Sequence, residues 1–215
     1  MATKQQLAKV AAIIVEFQEG FELLSTADKQ WVIQNGKEAV SVFVKAVANR
    51  IQTQKEEKSS SILKLISVGE KIMIESLDGK ALISKAKNTF KSGIDSDFTN
   101  WKLNEVSTAT SETLLAVYEM VNDAIFVQMF TELNSDLDKL VMTQAQIIRF
   151  CEKHSTRLRQ EGYATFFLTK VKGEYFVGGV RVGAGGLGVS VYRLGYGSVW
   201  SASNILRVVA PQLES

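Results

Sequence analysis

Residues 163–194 read YATFFLTKVKGEYFVGGVRVGAGGLGVSVYRL, and this stretch decides the fold class. Tyr163–Val171 and Tyr175–Val182 are rich in aromatic and β-branched residues, and Lys172-Gly173-Glu174 separates them as a turn. A third extended run, Val189–Leu194, follows GAGGLG, and shorter ones are expected near Val199-Trp200 and Leu206–Val209. Short glycine connections join neighbouring strands, so the expected sheet is antiparallel. Both faces of the TFFL run are apolar, which places that strand centrally, with helices expected on one side of the sheet.

Upstream of Gly162 the sequence changes character, with long helical stretches and no proline; the chain's single proline is Pro211. Thr3 and Gln6 match a capping box ahead of Leu7, Val10, Ala11, Ile14 and Phe17. Ser25 or Thr26 caps a second helix through Gln34, Asn35-Gly36 breaks it, and a third is expected from Lys37 to Arg50. Residues 54–61, QKEEKSSS, read as a polar linker between a helical segment at 1–53 and a domain at 62–215. In that domain Gly69-Glu70 is expected to fold ILKLISV back onto KIMIES as a hairpin. A short helix is expected over 80–90, an irregular loop over GIDSDFTNW, strand or helix over 114–121, and helix over Phe126–Leu133. Thr143 and Gln146 form another capping box, opening a helix with Ile147, Phe150, Cys151 and Leu158 on one stripe. The whole reads as an α+β fold: an N-terminal helical segment, then a mixed domain ending in an antiparallel β-sheet.

With 25 basic and 23 acidic residues the net charge is +2, which provides no whole-molecule field for nucleic acid or an anionic membrane. The one cysteine allows no intramolecular disulfide, and a reducing cytoplasm is the expected compartment. The apolar run Val10–Val15 is followed by Glu16 and Glu19 and is too short for a membrane span.

Several spaced motifs, ILKLIS (62–67), IDSDFTNW (94–101), VYEMV (117–121), MTQAQI (142–147), GYATFFL (162–168), EYFV (174–177), VW (199–200) and RVVAPQL (207–213), resemble a group of bacterial proteins with no assigned activity. The resemblance implies a bacterial, cytoplasmic protein in which 62–213 is one unit and 1–53 a variable attachment. It implies no catalytic residue.

Four constellations invite a chemical reading. Gly183, Gly185 and Gly188 have dinucleotide-loop spacing, but a strand follows where a helix N-terminus is needed, so a hairpin turn is expected. Cys151 and His154 lie three apart, yet both border an apolar stripe, which favours a packed thiol over a nucleophile. Asp95 and Asp97, near Asn100, lack the glycine and glutamate of a calcium loop and are expected to cap turns. Arg149, Lys153 and Arg157 are spaced by four and form a candidate anion-binding stripe, extended by Arg159, Lys170, Lys172 and Arg181, with Tyr163, Tyr175 and Tyr192 as stacking surfaces.

No catalytic, metal or cofactor residue is assigned. Val40, Phe43, Val44 and Val47 form a wide apolar surface on a short helix, which makes them a candidate interface. The expected function is therefore a non-enzymatic interaction or assembly module, with a protein partner or a second copy of the chain. A nucleic-acid-associated protein using residues 149–181 is one alternative, and an enzyme of unrecognised type is another.

Overall fold

The computed structural model describes residues 25–213, with Val40 and residues 51–60 described by their backbone alone. The expected first helix lies outside the described residues. The chain divides into two units, Met1–Ser59 and Ser60–Ser215.

In the first unit, α1 spans Thr26–Gln34 and α2 spans Gly36–Ser60. Ser25, not Thr26, caps α1, and it does so by a reciprocal box: its hydroxyl accepts from the Asp28 N–H and the Asp28 carboxylate accepts from the Ser25 N–H. Asn35 ends α1, its N–H donating to the Trp31 carbonyl at 2.8 Å, and its φ of −115° shows that the break does not use a left-handed residue. α2 runs through the expected linker. Gln54, Lys55, Glu56, Glu57 and Lys58 are good helix formers, so this stretch continues the helix without an apolar stripe.

The second unit is built on an eight-stranded sheet. Its strands are β1 (Leu63–Leu65), β2 (Ile72–Ile74), β3 (Gly93–Ile94), β4 (Thr113–Met120), β5 (Ala164–Val171), β6 (Glu174–Gly183), β7 (Gly186–Arg193) and β8 (Arg207–Pro211). The order is β1-β4-β8-β5-β6-β7-β3, with β2 also on β4. The α+β class is thus as expected, but the sheet is mixed rather than purely antiparallel: β5 pairs in parallel with β8, and β3 with β7. The glycine hairpins β5–β6 and β6–β7 are antiparallel as read. The exception arises because residues 194–206 cross back and insert β8 between β4 and β5, and no turn motif reports which strand edge a long connection reaches.

The expected hairpin between ILKLISV and KIMIES does not form. Both segments pair antiparallel with β4, β1 against 118–120 and β2 against 113–115, so they run in one direction along one edge. Between them the chain leaves the ladder in a turn at Gly69 (φ 74°), and the Ser67 hydroxyl accepts the Val117 N–H in place of a backbone carbonyl. The expected helix over 80–90 contracts to a single 3-10 turn, Ile83–Lys85.

Rows of paired residues cross the sheet and alternate between its faces. Val117, Val209, Phe167, Gly178 and Val191 form one row; Tyr118, Val208, Phe166, Gly179 and Ser190 form the next. α5 (Gln144–Lys153) covers the first face, where Phe150 meets Phe167 edge-on at 5.4 Å. α4 (Phe126–Leu133) covers the second, where Phe126 meets Phe166 at 4.9 Å and 84°. Helices therefore cover both faces, not one. β5 is central as its sequence implied, since Phe166 and Phe167 each need an apolar cover. Burying each phenyl ring is worth about 1.5–3 kcal/mol. Thr143 caps α5 through the expected box with Gln146.

Candidate functional site

The site is built where β3 ends. In the β6–β7 ladder the even-numbered residues of β7 bond to β6, and the odd-numbered ones turn their backbone groups outward. Outward, the Leu187 carbonyl accepts from the Ser92 N–H and the Val189 carbonyl from the Asp95 N–H, each at 2.9 Å. Asp95 then closes the pairing with its side chain: Oδ2 accepts from the Val191 N–H at 3.3 Å and Oδ1 from the Asp97 N–H at 3.0 Å. The second contact starts α3 (Asp97–Asn100), which carries the chain away from the sheet. Past this point the Val191 carbonyl and the Arg193 N–H have no partner among the described residues.

A cleft of about 630 Å³ opens there, lined by Asp95, Asp97, Trp101, Tyr192, Arg193 and Tyr196. One wall is the Trp101 indole, with the Arg193 guanidinium over it at 5.1 Å. Arg193 is also bonded to Glu174 at 2.9 Å, which neutralises it. The other wall is Tyr192 and Tyr196, their rings 5.5 Å apart. Gly179 permits this wall, because a Cβ there would lie 3.2 Å from the Tyr192 ring and 3.4 Å from the Phe166 ring. Asp97 accepts from the Asn100 amide through Oδ1 at 3.1 Å. A groove with aromatic walls, two carboxylates and a neutralised arginine suits an uncharged or cationic ligand better than an anion.

The GAGGLG glycines make the expected hairpin. They serve packing, since Cβ atoms on Gly185 and Gly186 would crowd Ser92 and Lys91 at 3.0 and 3.3 Å. Asp95 caps a turn as expected, accepting the Asp97 N–H, whereas Asp97 accepts only from the Asn100 side-chain amide; both line the cleft. Among the described residues no group of three or more His, Cys, Asp or Glu is placed to hold a metal.

The candidate anion stripe is divided and counter-charged. α5 ends at Lys153, so Arg157 lies beyond it in a 3-10 turn rather than on the same helical face. Arg149 pairs with Glu75 at 2.9 Å and with Glu152 at 3.0 Å, and Lys153 pairs with Glu75 at 2.7 Å. Arg157 pairs with Glu70 at 2.7 Å. The Lys153 hydrogen bond, together with a backbone hydrogen bond and the nearby Arg149 charge, holds the Glu75 carboxyl below the usual range. Lys170 pairs with Asp138 at 2.6 Å and Arg159 with Glu161 at 3.3 Å, while Arg181 donates to the Tyr192 hydroxyl at 3.3 Å. Two of the three expected stacking tyrosines, Tyr163 and Tyr175, already face the cations of Arg159 and Lys170.

Cys151 is 2% exposed, and burial pushes its thiol well above the ordinary value. His154 directs Nε2 to the Met73 carbonyl at 3.0 Å, away from a nucleophile–base geometry. Cys151 is expected to resist thiol reagents in the native protein and to react only after denaturant is added. Stoichiometric labelling of the native chain within minutes would contradict the buried, un-ionised thiol.

Of the expected interface residues, Phe43, Val44 and Val47 are exposed, as are Val42, Trp31 and Ile33, and α1 buries no residue. The Val40 side chain lies outside the described residues. Sequence reasoning did not single out Trp101, Arg193 and Tyr196, because residues some ninety positions apart meet only through the parallel β3–β7 pairing. No helix among the described residues is long and apolar enough to cross a membrane. No family model matches the chain, and neither a curated protein nor a solved structure matches it.

Proposed function

We propose that the chain is an interaction module that assembles through its N-terminal helices, and that the surface they present is met by a second copy of the same surface. One observation carries this reading: among the described residues, α1 and α2 leave six large apolar side chains exposed, with Phe43 at 48% and Val44 at 56%. Phe43, Val44 and Val47 recur at the spacing of one helical face, which is the pattern of a helix seam. Each such side chain gains about 1.5–3 kcal/mol when fully buried. Nucleic acid is the less favoured partner, because Arg149, Lys153 and Arg157 already face carboxylates.

Sedimentation velocity on the full chain tests the proposal. The unmodified protein is expected to self-associate, and the Phe43→Glu, Val47→Glu double variant to sediment as a monomer with an unchanged unfolding midpoint for the sheet domain. Each buried glutamate weakens association by at least about tenfold, the equivalent of about 1.4 kcal/mol. A monomer at every concentration of the unmodified chain rejects the proposal. Association that the double variant leaves unchanged rejects it as well.

A further inference from the structure

We propose that the cleft beside β7 receives an extended peptide, added as a short parallel strand in line with β3, with a basic side chain directed to Asp97. All of its residues belong to the second unit, and it does not depend on the helical surface.

The backbone determines both the mode and the direction. An exposed sheet edge is a template for an added strand, because its N–H and C=O groups lack partners. In an antiparallel addition one edge residue exchanges both its N–H and its C=O with the incoming residue. No edge residue in the cleft can do so. The Val191 N–H is bonded to Asp95, and the Arg193 carbonyl accepts from the Tyr196 N–H at 3.0 Å. What is left is the Val191 carbonyl and the Arg193 N–H. That pair matches parallel addition, in which one incoming residue donates to the first and accepts from the second. β3 pairs with β7 in parallel immediately before this point, so the incoming strand prolongs an existing direction.

The walls determine the side chains. Successive side chains of a strand point to opposite faces, so one faces the Trp101 wall and the next the Tyr192–Tyr196 wall. Arg193 is neutralised by Glu174, and the two Asp95 oxygens already accept backbone N–H groups. Asp97 spends only Oδ1, on Asn100. Its second oxygen and the excess of carboxylates favour lysine or arginine, which also stacks on indole.

A phage-displayed random heptapeptide library selected on the immobilised full chain, followed by calorimetry with the best synthetic peptide, provides the test. Selected sequences are expected to share one Lys or Arg beside aliphatic or aromatic residues. Asp97→Asn and Tyr196→Ala are each expected to weaken binding about tenfold, the scale of one well-placed contact. N-methylation of the peptide amide that meets the Val191 carbonyl is expected to abolish binding, and the Arg193 amide to exchange more slowly in the complex. No enriched sequence, or enriched peptides indifferent to Asp97→Asn that leave Arg193 exchange unchanged, overturns the proposal. Protection of the Arg193 amide by raising the protein concentration alone also overturns it, since a second copy would then be the occupant.

Discussion

Replacing Gln144 by alanine is expected to lower the unfolding free energy of the sheet domain by about 3–5 kcal/mol, one of the larger losses available to a polar residue in this protein. Gln144 is 3% exposed and occupies the first turn of α5. Its Oε1 accepts the Ile83 N–H at 2.9 Å, and its Nε2 donates to the Leu103 carbonyl at 2.6 Å. One amide thus ties two points of the long connection between β2 and β4 to the helix that covers the first core. Removing it leaves a buried donor and a buried acceptor unpaired, each at about 1–3 kcal/mol, and opens a cavity besides. Gln144→Met separates the two causes. It keeps the volume, so its cost reports the hydrogen bonds alone and is expected to fall short of the alanine cost. Urea unfolding gives both numbers, and faster exchange of the Ile83 amide in either variant locates the damage. An alanine variant within 1 kcal/mol of the parent would refute the tie.

The contrast between Gln144 and the strands shows what the sequence can reveal. The central place of β5 was legible, because two adjacent phenylalanines in a strand point to opposite faces and both need cover. The α4 helix over Phe126–Leu133 and the Thr143–Gln146 box were legible because their signals are local, carried by residues within a turn or two of chain. The sharing of the β4 edge by β1 and β2 was not. Gly69 marks a turn correctly, but a turn residue does not say whether the chain reverses or resumes its direction. The cleft was illegible on similar grounds. Asp95 looked like a turn cap and is one, yet the N–H that its other oxygen satisfies belongs to Val191, nearly a hundred residues away. For the anion stripe the spacing of basic residues was visible, but the partners Glu70 and Glu75 come from the β1–β2 segment, so its charge balance could not be read from the helix itself.

Gly79→Ala is expected to unfold the sheet domain more readily than any other glycine-to-alanine change among the described residues, with a loss of about 2–5 kcal/mol. Gly79 is buried at φ 75° in the turn after β2, and its carbonyl accepts the Ser107 N–H at 3.0 Å. The segment carrying Ser107 lies directly against it, held by the two backbone bonds between Leu77 and Thr110 at 2.8 and 3.0 Å. A Cβ at Gly79 would overlap the carbonyl oxygens of Ser107 and Thr108. Both are backbone atoms, so no side chain can rotate away and the two segments must separate. Gly173→Ala is the internal control. Gly173 has φ 82° in the β5–β6 turn, but the space around it is open. It therefore isolates the cost of a left-handed backbone, about 1–2 kcal/mol. The difference between the two variants measures the crowding, and at about 2–4 °C per kcal/mol for a domain of this size it is expected to separate their melting temperatures by several degrees. Equal melting temperatures for the two variants would show that the 104–112 connection yields freely, and that Gly79 is needed for its φ alone.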